Sequence, residues 1–165
     1  AWPWGQKMMR IVGAREASDI AGIEIETDAL FLARSGGVNP AKLCLAYTNG
    51  VDVHLNHPVS NSDEVHADAI ILAIGAGAKG FDEVRDLDLR SVRGQVSLLE
   101  ANQASAKMNC HICYGGYVSK AVDGIHMLGA TFQRWLDHSE ITQEDDAENL
   151  DKLIRPSHLF HVMAG

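Results

Sequence analysis

The chain has 165 residues, of which 46% are hydrophobic and 22% charged, and its formal net charge is −8 with all eight histidines neutral. That length allows one domain with a sizeable core, and the composition is that of an ordinary soluble protein. The acidic balance argues against a broad phosphate-gripping surface. The three cysteines, Cys44, Cys110 and Cys113, are too few and too odd in number for a disulfide framework, so a reducing, cytoplasmic setting is expected. No apolar run approaches the roughly 20 residues that span a bilayer. The first five residues, Ala1-Trp2-Pro3-Trp4-Gly5, lack the charged-then-apolar order of a signal peptide.

In chain order, Ala14 to Ile20 reads as a short helix stopped by Gly22. Ile23 and Ile25 alternate with glutamates, and Leu30-Phe31-Leu32 is an apolar patch; one or two short strands are expected there. Ser35-Gly36-Gly37 is a turn. Asn39-Pro40 is a helix start, because Asn accepts a bond from a first-turn amide and Pro has no amide to leave unpaired. That helix should run to about Thr48 and end at Asn49-Gly50. Val51 to Leu55 alternates as a strand. Val65 to Ile74 reads as a central strand, apolar on both faces in its second half. Gly75-Ala76-Gly77-Ala78 permits a close backbone approach or opens a short helix.

Leu87 to Leu99 is a long strand candidate. Asn102 to Asn109 is a loop. Ile112 to Val118 and Ile125 to Thr131 pair through Asp123-Gly124, a favoured hairpin turn pair. Thr142-x-x-Asp145 approximates a capping box and starts the last helix, which Pro156 ends at or before Arg155.

Several constellations carry chemistry. Gly75-x-Gly77, with Gly80 at the third position, has dinucleotide-turn spacing, but no strand ending in an acidic residue follows it, so it reads as a turn packing near a cofactor held elsewhere. Cys110-x-x-Cys113 has the spacing of half a zinc site or a dithiol; two small apolar residues on a strand is the preferred reading. His158 and His161 sit three apart, yet no metal site is expected. The acidic run from Glu140 to Asp151 reads as a solvated helix face. Arg93, Gln95, Tyr114, Tyr117 and Arg134 are polar or aromatic residues within strand patterns and near glycines, the setting of pocket linings.

These residues carry a resemblance. Residues 67–77 resemble the strand and glycine turn closing the FAD-binding domain in the D-amino-acid-oxidase-like superfamily. Arg93-Gly94-Gln95 is similar to its Arg-Gly-Gln strand. Tyr117-Val118, Asp123-Gly124 and Gly129-Ala130-Thr131 are similar to its substrate-domain hairpin. Within the superfamily, Ala21-Gly22-Ile23, residues 35–44, Cys113-Tyr114-Gly115-Gly116-Tyr117 and Glu148-Asn149-Leu150 most resemble the C-terminal oxidoreductase domain of bifunctional enzymes that build 5-methylaminomethyl-2-thiouridine in tRNA.

The resemblance implies an α+β (α/β) fold: a mixed, largely antiparallel substrate-domain sheet with helices on one face, plus a remnant of an FAD-binding Rossmann-like domain. Residues 1–85 would hold that remnant and the entry to the substrate domain, and residues 86–165 the substrate domain, as a piece of a larger two-domain flavoenzyme. It implies oxidation of a CH–NH bond with FAD as cofactor, the substrate being the carboxymethylaminomethyl side chain of a tRNA wobble uridine. The alternatives are another amine oxidase of the glycine- or sarcosine-oxidase type, or a non-enzymatic interaction module. Tyr117, Tyr114, Arg93 and Gln95 would be the catalytic-side residues, and Gly75, Ala76, Gly77 and Val59 would touch FAD. The cofactor is expected to be absent from this piece, tRNA to be a partner of the intact enzyme, and an exposed domain interface to allow self-association.

Overall fold

A computed structural model describes residues 8–134, 136–154 and the backbone of 161–164. The fold is α+β and divides into two compact units: Ala1–Val38, Gly94–Phe132 and Glu140–Gly165 form the first; Asn39–Arg93 and Gln133–Ser139 form the second.

The first unit is built on a seven-stranded sheet of order β1-β2-β9-β5-β6-β7-β4. Its strands are β1 (Met9–Val12), β2 (Ala29–Leu32), β4 (Ser97–Glu100), β5 (His111–Cys113), β6 (Tyr117–Val118), β7 (Ile125–Gly129) and β9 (His161–Ala164). The β2–β9 pair is parallel and the others antiparallel. Helix α1 (Ala14–Ala21) ends on Gly22 in the left-handed region (φ 73°), where the Gly22 amide donates to Ser18 O. A Cβ there would sit 2.8 Å from the Asn109 side chain and closer still to the Lys107 carbonyl, so packing as well as φ requires glycine. The hairpin turn forms as its sequence dictates. Asp123 (φ 51°) and Gly124 (φ 79°) both adopt positive φ, and Val122 and Ile125 exchange backbone bonds of 2.9 and 3.0 Å across them.

Helix α3 (Gln143–Ile154) starts where the cap predicts: the Asp145 amide donates to Thr142 Oγ1 at 3.2 Å, and Thr142 Oγ1 donates to Asp145 Oδ2 at 2.5 Å. Val12, Ala17, Ala21, Ala29, Ile112, Tyr114, Val118 and Leu128 make the core, with Leu153 of α3 packed against it. Both helices therefore cover one face of the sheet. Strand alternation sends Met9, Ile11, Leu98 and Met127 to the opposite face, and all four are exposed. A solvated sheet face normally carries polar residues; among the described residues this one is mostly apolar, with Glu100 and His111 as its polar members.

In the second unit, helix α2 (Pro40–Tyr47) begins at Asn39, whose side chain accepts from the Lys42 amide at 3.1 Å. β3 (Val92–Arg93) and β8 (Gln133–Arg134) form a short antiparallel ladder. The sequence patterns mislead here. Val51–Leu55 and Val65–Ile74, expected as strands, have no ladder partner among the described residues, and Ile71 is 90% exposed. An apolar run favours burial, but a strand needs a neighbour to bond with. Ile23–Ile25 likewise forms no strand, and β1, unread in the sequence, does. The Leu87–Leu99 strand breaks at Gly94–Val96. A Cβ at Gly94 would lie 2.8 Å from the Thr131 carbonyl, so the chain passes too close to that backbone for a regular strand. Pro156 lies outside the described residues, and α3 ends at Ile154.

Candidate functional site

Tyr117 lies opposite Gly129 in the β6–β7 ladder, on the uncovered face. Its Cε1, Cζ and Oη occupy the space a Cβ on Gly129 would need, so the hydroxyl end of the ring packs against Gly129. Tyr117 is half-buried, and the hydroxyl has no hydrogen-bond partner among the described residues. Cys113, its partner across the β5–β6 ladder, shares this face, as do Met127 and Leu98 from β7 and β4.

Tyr114, three residues earlier, goes the other way. It is 5% exposed and belongs to the core under the helices, so the intervening Gly115-Gly116 turn sends the two tyrosines to opposite sides of the sheet. Gly115 has φ 98°, and the Tyr114 amide donates to Gly116 O at 2.9 Å. Burial, with a smaller contribution from Cys113, pushes the Tyr114 phenol up to about 12. Its ring borders Gly116 on the same side as the stem of Lys152. Lys152 Nζ donates to Ala130 O at 3.0 Å and pairs with Glu148 at 2.7 Å.

Gln95 is 7% exposed, and its side chain joins the sheet to the start of α3. Nε2 donates to Thr142 O (2.8 Å) and to Asp146 Oδ1 (2.9 Å), while Oε1 accepts from the Thr142 amide (2.9 Å). Its backbone amide donates to Thr131 Oγ1 (3.0 Å), and its carbonyl accepts from Asn149 Nδ2 (3.0 Å). Ser97 Oγ donates to Asp146 Oδ1 at 2.6 Å and accepts from Asn149 Nδ2 at 3.1 Å. The donations from Ser97 and then Gln95 hold the Asp146 carboxyl below the usual carboxylate range, against partial desolvation and the neighbouring Asp145. Sequence reasoning passed over Ser97 and Lys152, and it took Asp146 for part of a solvated helix face, whereas Asp145 is buried and Asp146 bonds to the sheet. The Thr142 cap pointed to this place on the helix, but nothing in a linear pattern says which strand a cap will meet.

Arg93 belongs to the second unit, 7% exposed, and its Nη1 donates to Gln133 Oε1 at 2.7 Å across the β3–β8 ladder. Arg134, the other ladder cation, is exposed. Gly75, Ala76 and Gly77 open a 3-10 helix, Gly75–Gly80, with Gly75 at φ 56°. A Cβ on Gly75 or Gly77 would meet nothing within 4 Å. Val59 is half-buried in the same unit. The four expected FAD contacts thus share one unit with Arg93, while Tyr114, Tyr117 and Gln95 belong to the other.

Gly75, Ala76 and Gly77 are exposed, and Gly75 and Gly77 border open space. A pyrophosphate needs a helix N-terminus aimed at it from the end of a strand. Gly75 follows no strand, and its helix is a single 3-10 segment of 6 residues. The described residues therefore do not make a holding site for the cofactor's phosphates.

Cys110 and Cys113 do not form a metal half-site. Cys110 belongs to the buried core whereas Cys113 pairs with Tyr117 on the opposite face of the sheet, and burial raises both thiols. No group of three or more His, Cys, Asp or Glu among the described residues is placed to hold a metal. His158 lies outside the described residues, as does the His161 side chain. No described helix is long and apolar enough to cross a membrane.

The chain is 37% identical over 163 residues to the tRNA 5-methylaminomethyl-2-thiouridine biosynthesis bifunctional protein MnmC of Azoarcus sp., covering 88% of this chain and 26% of that protein. The protein of the same name from Nitrosospira multiformis is 32% identical over 171 residues, 91% of this chain and 28% of the relative. That from Legionella pneumophila is 28% identical over 88% of this chain and 24% of its own length. The chain thus spans about a quarter of the length of these relatives. The profile of the FAD dependent oxidoreductase family matches residues 1–156, and the chain belongs to that family.

Proposed function

We propose that this chain supplies the substrate-side wall of an FAD-dependent amine oxidase, and that the uncovered face of its seven-stranded sheet is that wall. The observation that carries the reading is Tyr117: a half-buried phenol, its hydroxyl uncommitted among the described residues, lying on an apolar face between Leu98, Met127 and Cys113. Such a face strips water from a bound amine, and one hydroxyl donor or acceptor then fixes its orientation. Tyr117 is assigned to contact with the substrate. Gln95 and Tyr114 are assigned to positioning, the first by holding α3 on the sheet and the second by filling the core beneath it. Arg93 holds the β3–β8 ladder.

The reaction class is oxidation of the C–H bond beside a secondary amine nitrogen, followed by hydrolysis. The substrate we assign is the carboxymethylaminomethyl side chain of a tRNA wobble uridine, in keeping with the names of the relatives. In the whole enzyme FAD would supply the oxidising chemistry, and Gly75, Ala76, Gly77 and Val59 would border it without holding its phosphates. The chain's own net charge of −8 assigns the tRNA-gripping surface elsewhere. The exposed apolar residues of the second unit, including Leu45, Tyr47, Leu55 and Ile71, suit docking against another body or a second copy.

The test is Tyr117→Phe in a flavin-loaded enzyme carrying this chain, with turnover measured on modified tRNA and on N-methylglycine. A drop in kcat on tRNA of about tenfold, the scale of one lost transition-state hydrogen bond, is expected. Unchanged kinetics on both substrates would reject the assignment, and a loss on N-methylglycine alone would reject the tRNA reading.

A further inference from the structure

We propose that Gly129 is a positioning residue for Tyr117, and that the missing side chain at this point in β7 fixes where the tyrosine hydroxyl stands on the open face. The inference rests on the assignment of Tyr117 to the substrate and deepens it.

Three contacts meet at the end of β7. From above, the Tyr117 ring lies where a Gly129 Cβ would project, with Cε1, Cζ and Oη all in that space. From the adjoining β5–β6 turn, Gly116 approaches so closely that a Cβ on it would stand 2.6 Å from the Gly129 carbonyl. From α3, Lys152 Nζ holds the next carbonyl, Ala130 O, at 3.0 Å, and Glu148 steadies the lysine at 2.7 Å. The peptide beneath the ring is thus held from a turn and from a helix, and has little freedom to move away from it. A phenol otherwise chooses among staggered χ1 wells. Here cross-strand pairing with a glycine leaves room for the ring against the backbone, a pairing that compensates for the glycine's own weakness in a strand.

The chemical consequence is specific. The Gly129 site is filled by an aromatic ring, so the open face presents a hydroxyl there at a fixed height above the sheet. A methyl group at residue 129 would lift the ring and carry the hydroxyl with it. Nothing in the sequence pattern signals this, because Gly129 sits at the end of an otherwise regular strand.

The experiment uses the 165-residue chain and the nucleoside 5-carboxymethylaminomethyluridine as probe. In the wild-type chain the Gly129 α-protons should be ring-current shifted upfield in NMR spectra, and Tyr117→Leu should abolish the shift. Titration with the nucleoside should perturb Tyr117 and Gly129 resonances in the wild type and leave them unmoved in Gly129→Ala. Stability gives a readout independent of binding. Gly129→Ala should lower the unfolding midpoint when Tyr117 is present and leave it unchanged or raise it in the Tyr117→Leu background, since alanine suits a strand better than glycine when nothing occupies the space. The same sign of effect in both backgrounds, or an unshifted Gly129 resonance, would overturn the positioning role. A wild-type chain with the shifted Gly129 resonance but no response to the nucleoside would instead overturn the substrate assignment and leave the ring packing standing.

Discussion

Removing the Gln95 side chain should uncouple helix α3 from the sheet. Gln95→Ala deletes hydrogen bonds that include two to the Thr142 backbone and one to the Asp146 carboxylate. A neutral bond contributes about 1 kcal/mol net and one to a charged group about 2 kcal/mol. Asp146 is half-exposed, so water recovers part of its loss, and we expect a net cost of about 3 kcal/mol. Against a total stability of roughly 5–15 kcal/mol, that is a large fraction. For a chain of this size it should lower Tm by about 6–12 °C.

The assay is thermal unfolding followed by circular dichroism, with hydrogen exchange at the first-turn amides of α3 as the local probe. Gln95→Glu is the discriminating control. It keeps the shape but replaces the donating amide with a carboxylate facing Asp146, so it should be at least as destabilising as alanine at neutral pH. Its deficit should shrink as the pH falls and the new acid protonates. A loss below about 1 kcal/mol in Gln95→Ala, or a neutral Gln95→Glu, would refute the argument that this amide is what anchors the helix.

Other outcomes follow from the same structure. The Tyr114 phenol is raised to about 12 in the fold, so the folded state holds its proton more tightly than the unfolded state does. That contribution is fully present below the unfolded phenol's pKa of about 10 and is lost as the pH rises through about 12. The wild type should therefore destabilise steeply across that window, and Tyr114→Phe should flatten the loss in an alkaline denaturation series. The Asp146 carboxyl is depressed, so its contribution is present above the ordinary aspartate value and disappears as the pH falls through the lower folded value. Ser97→Ala removes its largest cause and should weaken the acid dependence of unfolding below about pH 4. Gly124→Val forces a β-branched residue into φ 79° and should cost about 1–3 kcal/mol, read as a lowered urea midpoint at unchanged m-value.

The parts of the fold that sequence made legible are those decided locally. Asn39-Pro40, Gly22, Asp123-Gly124 and Thr142 each act within a few residues of themselves, and each cap or turn stands where it was expected. What failed depended on neighbours. Val65–Ile74 has the composition of a buried strand, but a strand is defined by its partner, and composition does not name one. The Leu87–Leu99 strand was cut by a contact between Gly94 and Thr131, 37 positions apart in the chain. The site divides in the same way. Tyr117 and Gln95 stood out as polar or aromatic residues among glycines, whereas Ser97, Asp146 and Lys152 acquire meaning only when α3 lands on the sheet. Tyr114 and Tyr117, three positions apart in the chain, stand on opposite sides of the sheet because two glycines turn the chain over between them.

The most direct measurement is a crystal structure of a flavin-loaded enzyme carrying this chain, soaked with a non-reactive thioether analogue of the carboxymethylaminomethyl side chain. The analogue should be seated on the Leu98–Met127–Tyr117 face, with its polar end within hydrogen-bond distance of the Tyr117 hydroxyl. An analogue bound elsewhere, with that face packed against protein and the hydroxyl closed off, would contradict it.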